Sequence, residues 1–370
     1  MSRCKLEEFI SYEQPAKYIV DSDQYDDSYE TPVLTAGKSF ILGYTDEKNN
    51  IFDNLPVIIF DDFTTSVQFV DFPFKVKSSA MKLLKNTEQA DIKYCYYLLK
   101  FLQHTPENHK RQWLSATSQN IVELPTIEKQ KNIVMKLDKI LEVIDNQNNQ
   151  LELLDEAIKA RFVEMFGDPN IEFKYSSVKF NDLVARMTKG PFGSDMKKDL
   201  FVPKGEDTYK VYIQINAIQK NQSLGEYYIS KEYFDRKVSR FELFPNDYII
   251  TCDGTLGKYL KLDENMEKGV ISPSLLRLTL QNDKINDKYF ENIWDFYMLG
   301  LMKKEARNAC LVHLPSAKKI GEISIPVPPL ELQNQFASFV EEIDKSRSRI
   351  QKSLEASQEL FDSLMQEYFG

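Results

Sequence analysis

Histidine and cysteine are scarce in this sequence, and their scarcity removes whole classes of chemistry. Three histidines (His104, His109, His313) and four cysteines (Cys4, Cys95, Cys252, Cys310) stand far apart, without the paired spacing that zinc or dithiol sites use. The thiols are expected to be buried and unpaired. No run approaches the ~18 consecutive apolar residues of a membrane span, and the opening MSRCKLEEFI lacks the apolar stretch of a secretion signal. A cytoplasmic protein with no membrane partner is expected. There is no GxxxxGKS/T phosphate loop and no Gly-rich loop placed after a strand to hold a dinucleotide. Apolar material is ample: 42% of 370 residues, with 12% aromatic, enough for two or three domains with their own cores.

The net charge of −9 argues at first against a polyanionic partner. The charge is unevenly spread, however. Asp71–Arg111 carries eight basic against four acidic residues, a net +4, and Lys174–Lys210 carries eight against five, a net +3. Acid is concentrated in DSDQYDDSYE, Asp21–Glu30, and in two helical repeats. On charge alone the two basic stretches read equally as solvated faces or as the footprint of a polyanion.

The repeats appear on sliding the chain by 203 residues: FVEMFG, Phe162–Gly167, meets MQEYFG, Met365–Gly370, and Pro125, Glu128, Gln130, Ile140 and Leu151 meet Pro328, Glu331, Gln333, Ile343 and Leu354. In the first copy Ile133, Leu137, Leu141, Ile144, Leu151, Leu154, Ile158, Phe162 and Met165 recur at threes and fours, one apolar face of a long helix. The second copy keeps a stricter heptad through Phe336, Val340, Ile343, Ile350, Leu354, Phe361 and Leu364. Each starts just after proline, with an early Glu for the positive end of the helix dipole. Each closes on Phe-Gly, where Gly167 suits a left-handed cap. About 38 residues of helix would be ~57 Å long.

The remaining segments are rich in short β-branched and aromatic runs: LPVIIFDD and SVQFVDFPFKV in the first, YKVYIQINAI, NDYIITCDG and GVISPSLLRLTL in the second. ADIKYCYYLLKFLQ and DKYFENIWDFYMLGLMKK read as helices. The expected fold class is α+β, with two globules of mixed sheet and helix separated by two long helices. The boundaries are residues 1–124, 125–167, 168–327 and 328–370. A domain of about 160 residues is roughly 35–40 Å across, shorter than either helix. It can join the end of one helix to the start of the other only if the helices lie antiparallel as a coiled coil. The expectation is a rod with a globule at each end, related by an approximate two-fold axis. Two unlike modules held at fixed separation suit a bipartite, asymmetric DNA site, although a helical spacer displaying unrelated domains has the same outline.

ELPTIEKQKNIVMKLDKI, LLDEAIKARFVEMFGDP and IPVPPLELQNQFASFV resemble the central and distal helical regions of the specificity subunits of type I restriction-modification systems. The globules resemble that family's two target recognition domains, so the likeness spans Lys5–Gly370. KGPFGSDM, Lys189–Met196, and NDYIITCDGTLGK, Asn246–Lys258, are similar to recurring target-domain motifs, with Asn246 standing where the family more often has Gly. The first globule lacks the GTLGK element, and its TPVLTAGK resembles a different subset. The resemblance implies a DNA-recognition subunit without catalysis or a cofactor of its own. It implies recruitment of two methyltransferase subunits, which use S-adenosylmethionine to methylate an adenine in each half-site. Motor-nuclease restriction subunits would cut unmethylated DNA with ATP and Mg. Agreeing with this, the chain has no PPY-type amino-methyltransferase tetrad. A related type IIB-like multisubunit enzyme shares the subunit plan. A stand-alone nuclease, suggested by the Glu172-Phe173-Lys174 triplet, and a structural helical adaptor are the other readings.

Candidate DNA contacts follow from side-chain chemistry. In GPFGS, Gly190 and Gly193 would let backbone approach a groove while Phe192 stacks, with Ser194, Lys189 and Lys197 at the flanks; a plain turn with Phe192 in the core is the alternative. In CDGTLGK, Thr255, Gly257 and Lys258 would face phosphate, unless the stretch is simply a tight hairpin. Gln214 and Asn216, two residues apart on a strand, could share a face and pair with adenine edges, or form a satisfied polar strand face. In the first globule Gly37 and Lys38 end a strand, Asp61 could accept from cytosine, and Thr64 and Thr65 offer hydroxyls. Lys75, Lys77, Lys82 and Lys85 form a phosphate-contact cluster or a solvated face. Asp61 and Asp62 have no third ligand at usable spacing, so no metal is expected.

Overall fold

The computed structural model describes residues 2–35, 39–106, 111–220, 225–308 and 313–370. Four helices organise it: α1 (Ile92–Phe101), α2 (Ile127–Phe166), α3 (Asp287–Ile293) and α4 (Leu330–Phe369). The chain divides into two compact units, residues 1–150 with 350–370, and residues 151–349. The division falls inside both 40-residue helices, so each unit contains one globule, part of α2 and part of α4.

In the first unit, β1 (Ser2–Lys5) pairs antiparallel with β9 (Ile121–Leu124), closing the globule where α2 begins. The strands between them are β2 (Ile10–Glu13), β3 (Thr31–Leu34), β4 (Ile41–Thr45), β5 (Val57–Asp61), β6 (Val67–Val70), β7 (Lys75–Val76) and β8 (Met81–Asn86). They form a four-stranded antiparallel sheet, β2-β8-β5-β6, and a three-stranded sheet, β4-β3-β7, in which β3 and β7 run parallel. Alternate β5 side chains enter different cores: Ile58 and Phe60 join Tyr94, Leu98, Trp113 and the long helices, while Val57 and Ile59 join Phe52, Phe74 and Val76. On the long helices Ile133, Leu137 and Ile144 share their core with Phe361 and Met365, each burial worth roughly 1.5–3 kcal/mol. Lys136 Nζ reaches Tyr368 Oη at 3.3 Å and Gln147 Nε2 reaches Ser353 Oγ at 2.8 Å, so α2 and α4 are antiparallel here.

The second unit repeats this plan. β10 (Ser177–Lys179) pairs antiparallel with β18 (Ser324–Pro326). Within lie β11 (Val184–Lys189), β12 (Thr208–Tyr212), β13 (Tyr227–Ser230), β14 (Tyr248–Thr251), β15 (Tyr259–Lys261), β16 (Gly269–Ile271) and β17 (Leu275–Leu280). The sheets are β11-β17-β14-β15, antiparallel, and β13-β12-β16, in which β12 and β16 run parallel. Strand for strand the order matches the first globule. Phe162 and Phe166 pack on Phe336, and Arg347 bonds Asp155 at 2.5 Å, again setting α2 and α4 antiparallel. Gly167 ends α2 at φ +88°, its N–H on Val163 O at 2.9 Å, as the Phe-Gly close predicts.

Each globule is fixed to its long helix by one buried glutamine. Gln130 Oε1 accepts from Asp91 N at 2.8 Å, and its Nε2 donates to Gln89 O at 3.1 Å and Pro125 O at 2.8 Å. Gln333 accepts from Asn286 N at 2.8 Å and donates to Lys284 O at 3.3 Å and Pro328 O at 2.8 Å. Both side chains are fully buried. Asp91 and Asn286 are the N-caps of α1 and α3, accepting from the amides of Lys93 and Tyr94 and of Lys288 and Tyr289. Among the described cysteines, Cys95 and Cys252 are buried free thiols and Cys4 is half-buried; Cys310 and His109 lie outside the described residues. Among the described residues no helix is long and apolar enough to cross a membrane.

Candidate nucleic-acid interface

In the second globule the ends of β11, β12, β14 and β16 converge on Ser272-Pro273-Ser274, the connection into β17. Gly190 N donates to Leu275 O, Ser272 N to Tyr212 O, and Cys252 N to Ser274 O, at 2.8, 3.0 and 2.8 Å. Three segments separated in sequence, GPFGS, QINA and CDGTLGK, are thereby brought to one end of the sheet. The Gln214 amide lies against Gly254, about 4.0 Å from where a Cβ would stand. Lys189, Lys197 and Lys258 are exposed and, among the described residues, make no ion pair. Phe192 is 77% exposed, so it is no core residue of a plain turn. Burial pushes the Cys252 thiol up to about 12 against the opposing pull of the Lys189 charge, so this cysteine is inert scaffold.

Several expectations are corrected here. Gln214 and Asn216 do not share a strand face: β12 stops at Tyr212 and residues 214–217 form a helical turn, with the Asn216 amide spent on Gly225 O. Gly190 needs its missing side chain for an internal reason, since a Cβ would meet the Ser272 carbonyl carbon at 2.7 Å and Pro273 Cα at 3.1 Å. Gly193 has open space around it and Ser194 is exposed. Gly257 is buried at φ +75° against Leu299, and its carbonyl accepts from Trp294 Nε1 at 2.9 Å. Thr255 is exposed, but its carbonyl accepts the Thr251 hydroxyl. Asn246 sits at φ +70°, the conformation that favours glycine and that asparagine tolerates. Replacing Gly190 by Ala should cost about 1–3 kcal/mol of unfolding free energy by overpacking rigid backbone, whereas Gly193→Ala should fall within about 0.5 kcal/mol of wild type. Denaturant titration of the two variants checks this.

The first globule builds the same end with other side chains. Asp62 N donates to Ala80 O and Lys77 N to Leu34 O, as Cys252 and Ser272 do in the second globule. Gln112 N donates to Asp62 O, and Leu314 N to Cys252 O, both at 2.8 Å. The loop after β5 closes by Thr65 N on Asp61 O, and that after β14 by Gly257 N on Thr251 O. Thr65, at φ +57°, thus occupies the left-handed place that Gly257 holds.

This construction withdraws most of the predicted contacts in the first globule. Asp61 is buried and caps its own loop, accepting from Phe63 N and Thr64 Oγ1 at 2.8 Å each, so it is not free for cytosine. Thr65 is buried, its hydroxyl on His104 O at 2.6 Å. Lys75 is buried against Glu47 at 2.5 Å, and Lys82 against Asp62 at 3.1 Å; neither reaches a phosphate. Lys85 donates to Pro56 O at 2.7 Å. Lys77 is partly exposed but engaged with Asp23, and Thr64 is exposed. Gly37 and Lys38 lie outside the described residues. Sequence reasoning missed Ser272–Ser274, Asp253 with His313, and Arg111. The Ser-Pro-Ser interruption of GVISPSLLRLTL was the one available signal, a breaker inside a strand run.

Residues 193–358 match the family model of the type I restriction modification DNA specificity domain. The chain is 28% identical over 375 residues to the type I restriction enzyme EcoR124I/EcoR124II specificity subunit of Escherichia coli, covering 96% of this chain and 89% of that one. It is also 28% identical over 169 residues to the MjaVIII specificity subunit of Methanocaldococcus jannaschii, covering 41% and 37%. Among solved structures, the S subunit of a type I restriction-modification system from M. genitalium aligns over 100% of this chain and 96% of its own, with a TM-score of 0.61 and 14% identity. A chain from a type I R-M system studied for complex assembly and conformational transition aligns over 99% of both, with a TM-score of 0.54 and 13% identity. At such identities these two alignments speak to the fold alone.

Proposed function

We propose, from the premise that the chain belongs to the specificity subunits of type I restriction-modification systems, that each globule reads one half of a bipartite, asymmetric DNA site through the face at its strand ends. The observation that carries this reading is the duplicated face. One backbone hydrogen-bond pattern recurs in both globules, with Asp62 against Cys252 and Thr65 against Gly257. Equal scaffolds with unequal side chains suit two half-sites of different sequence. Exposed lysines such as Lys189, Lys197 and Lys258 would fix register on phosphates, while Gln214 and neighbouring polar groups would discriminate base edges.

On this reading the chain supplies recognition and no catalysis. Methyltransferase subunits carrying S-adenosylmethionine would extrude and methylate an adenine in each half-site, and restriction subunits would supply ATP- and Mg-dependent cleavage. The chain would need no cofactor of its own and would work in the cytoplasm.

The test is to exchange residues 168–327 for the corresponding domain of a relative, co-express the hybrid with its methyltransferase subunits, and sequence the methylated adenines. One half of the methylated motif should change while the other stays as in wild type. A change in both halves would end the idea of independent readers. Cleavage of DNA by the purified chain with Mg²⁺ alone would end the non-catalytic reading.

A further inference from the structure

One polar arrangement at the strand ends was not anticipated from sequence, and one of its two positions has a counterpart in the first globule. In the second, the backbones of Asp253 and His313 form a β-bridge, and Asp253 Oδ1 lies 2.5 Å from His313 Nδ1. The two side chains remain 35% and 54% exposed. A carboxylate only accepts, so Nδ1 carries the hydrogen, and in its neutral form the ring offers Nε2 as an acceptor. Asp253 belongs to the loop whose Gly254 lies near the Gln214 amide, and its neighbour Cys252 is close enough to Lys189 to feel that charge. The pair therefore sits among the groups assigned to base and phosphate contact.

The first globule identifies the equivalent position. Because Gln112 N bonds Asp62 O as Leu314 N bonds Cys252 O, the preceding residues, Arg111 and His313, correspond. Arg111 is exposed and makes no ion pair among the described residues. We infer that His313, held by Asp253 as a positioning residue, contacts a base in the half-site read by the second globule, and that Arg111 is its counterpart in the first. This rests on the DNA-reading assignment above. An acceptor at Nε2 suits the exocyclic amino group of cytosine or adenine, whereas a guanidinium suits guanine O6 and N7. One structural station would thus ask for opposite hydrogen-bonding groups in the two half-sites.

The experiment uses the chain assembled with its methyltransferase subunits in a host whose methylated adenines are sequenced. Wild type, His313→Ala, His313→Gln, Asp253→Asn and Arg111→Ala are compared, together with the melting temperature of each purified complex. His313→Ala should admit other bases at one position of one half-site, raising their methylation roughly tenfold or more, with melting unchanged. His313→Gln, which keeps an acceptor, should relax the same position less. Asp253→Asn should relax it in the same direction as Ala, and Arg111→Ala should act only in the other half. An unaltered motif at wild-type occupancy in His313→Ala would overturn the inference. So would a uniform loss of methylation with lowered melting, the mark of a merely structural residue. If wild type itself showed no bipartite motif, the DNA-reading assignment would fall along with it; a bipartite wild-type motif with unaltered variants sinks this inference alone.

Discussion

Replacing Gln333 with Ala should lower the unfolding free energy of the second unit by about 3–5 kcal/mol. The side chain is fully buried and makes three hydrogen bonds, all to backbone: it accepts from Asn286 N and donates to Lys284 O and Pro328 O. Truncation removes the partner of one backbone donor and two backbone acceptors, of which Pro328 O is engaged in a buried bond, each loss costing up to about 1–3 kcal/mol though not additively. Gln333→Leu separates the polar loss from the cavity, and should recover about 1–2 kcal/mol of the Ala penalty. Gln333→Glu should be worse than Leu at neutral pH, since a carboxylate has no hydrogen to offer two facing carbonyls. Gln130 makes the same three bonds to Asp91 N, Gln89 O and Pro125 O, so Gln130→Ala should cost as much in the first unit. Denaturant unfolding measures the energies. Amide exchange locates them, because the Asn286 and Asp91 N–H groups should lose protection in the respective variants.

The consequence extends beyond stability. These glutamines join the N-cap of the globular helix to the first turn of the long helix, and so set how each globule is carried on it. Gln130 and Gln333 were visible in sequence as repeat-matched residues, and so were the long helices, because a 3.6-residue apolar period, a starting proline and a closing glycine are local signals. The residue-by-residue correspondence of the two globules was not visible. It resides in backbone hydrogen bonds such as Asp62 N to Ala80 O and Cys252 N to Ser274 O, which place almost no demand on the side chains. The glycine that marks the second loop at Gly257 is a threonine at position 65, held in the left-handed region with its hydroxyl on His104 O. A β-branched residue gives a sequence reader no turn signal there.

The misread lysines have a common cause. Lys75 and Lys82 look like solvent-facing residues of amphipathic strands, yet their partners, Glu47 and Asp62, arrive from elsewhere in the chain and allow burial. Likewise the alternation in YKVYIQIN continues past Tyr212, where the strand in fact gives way to a helical turn that brings Gln214 to Gly254. Period two in side chains cannot reveal where the ladder partner ends. Sheet-edge contacts decide it, and they are long-range.

The Lys82–Asp62 pair yields the other large effect. Both side chains are essentially inaccessible, 3.1 Å apart, and the ammonium lies 5.6 Å from the centroid of the Tyr12 ring. Asp62→Ala should therefore cost about 3–5 kcal/mol by stranding a buried charge. The second globule shows an apolar solution at the same station: strand register places Leu276 where Lys82 stands, and Cys252 replaces Asp62. Asp62→Cys with Lys82→Leu should recover most of the loss, giving a coupling of several kcal/mol in a double-mutant cycle. Recovery should stop about 1–3 kcal/mol short. Asp62 Oδ1 also accepts from Trp113 N at 2.9 Å, and that amide would be orphaned. The corresponding residue in the second globule is Pro315, which has no N–H to satisfy. Full recovery would show that the Trp113 amide finds another partner; no recovery would show that the two globules do not share this station.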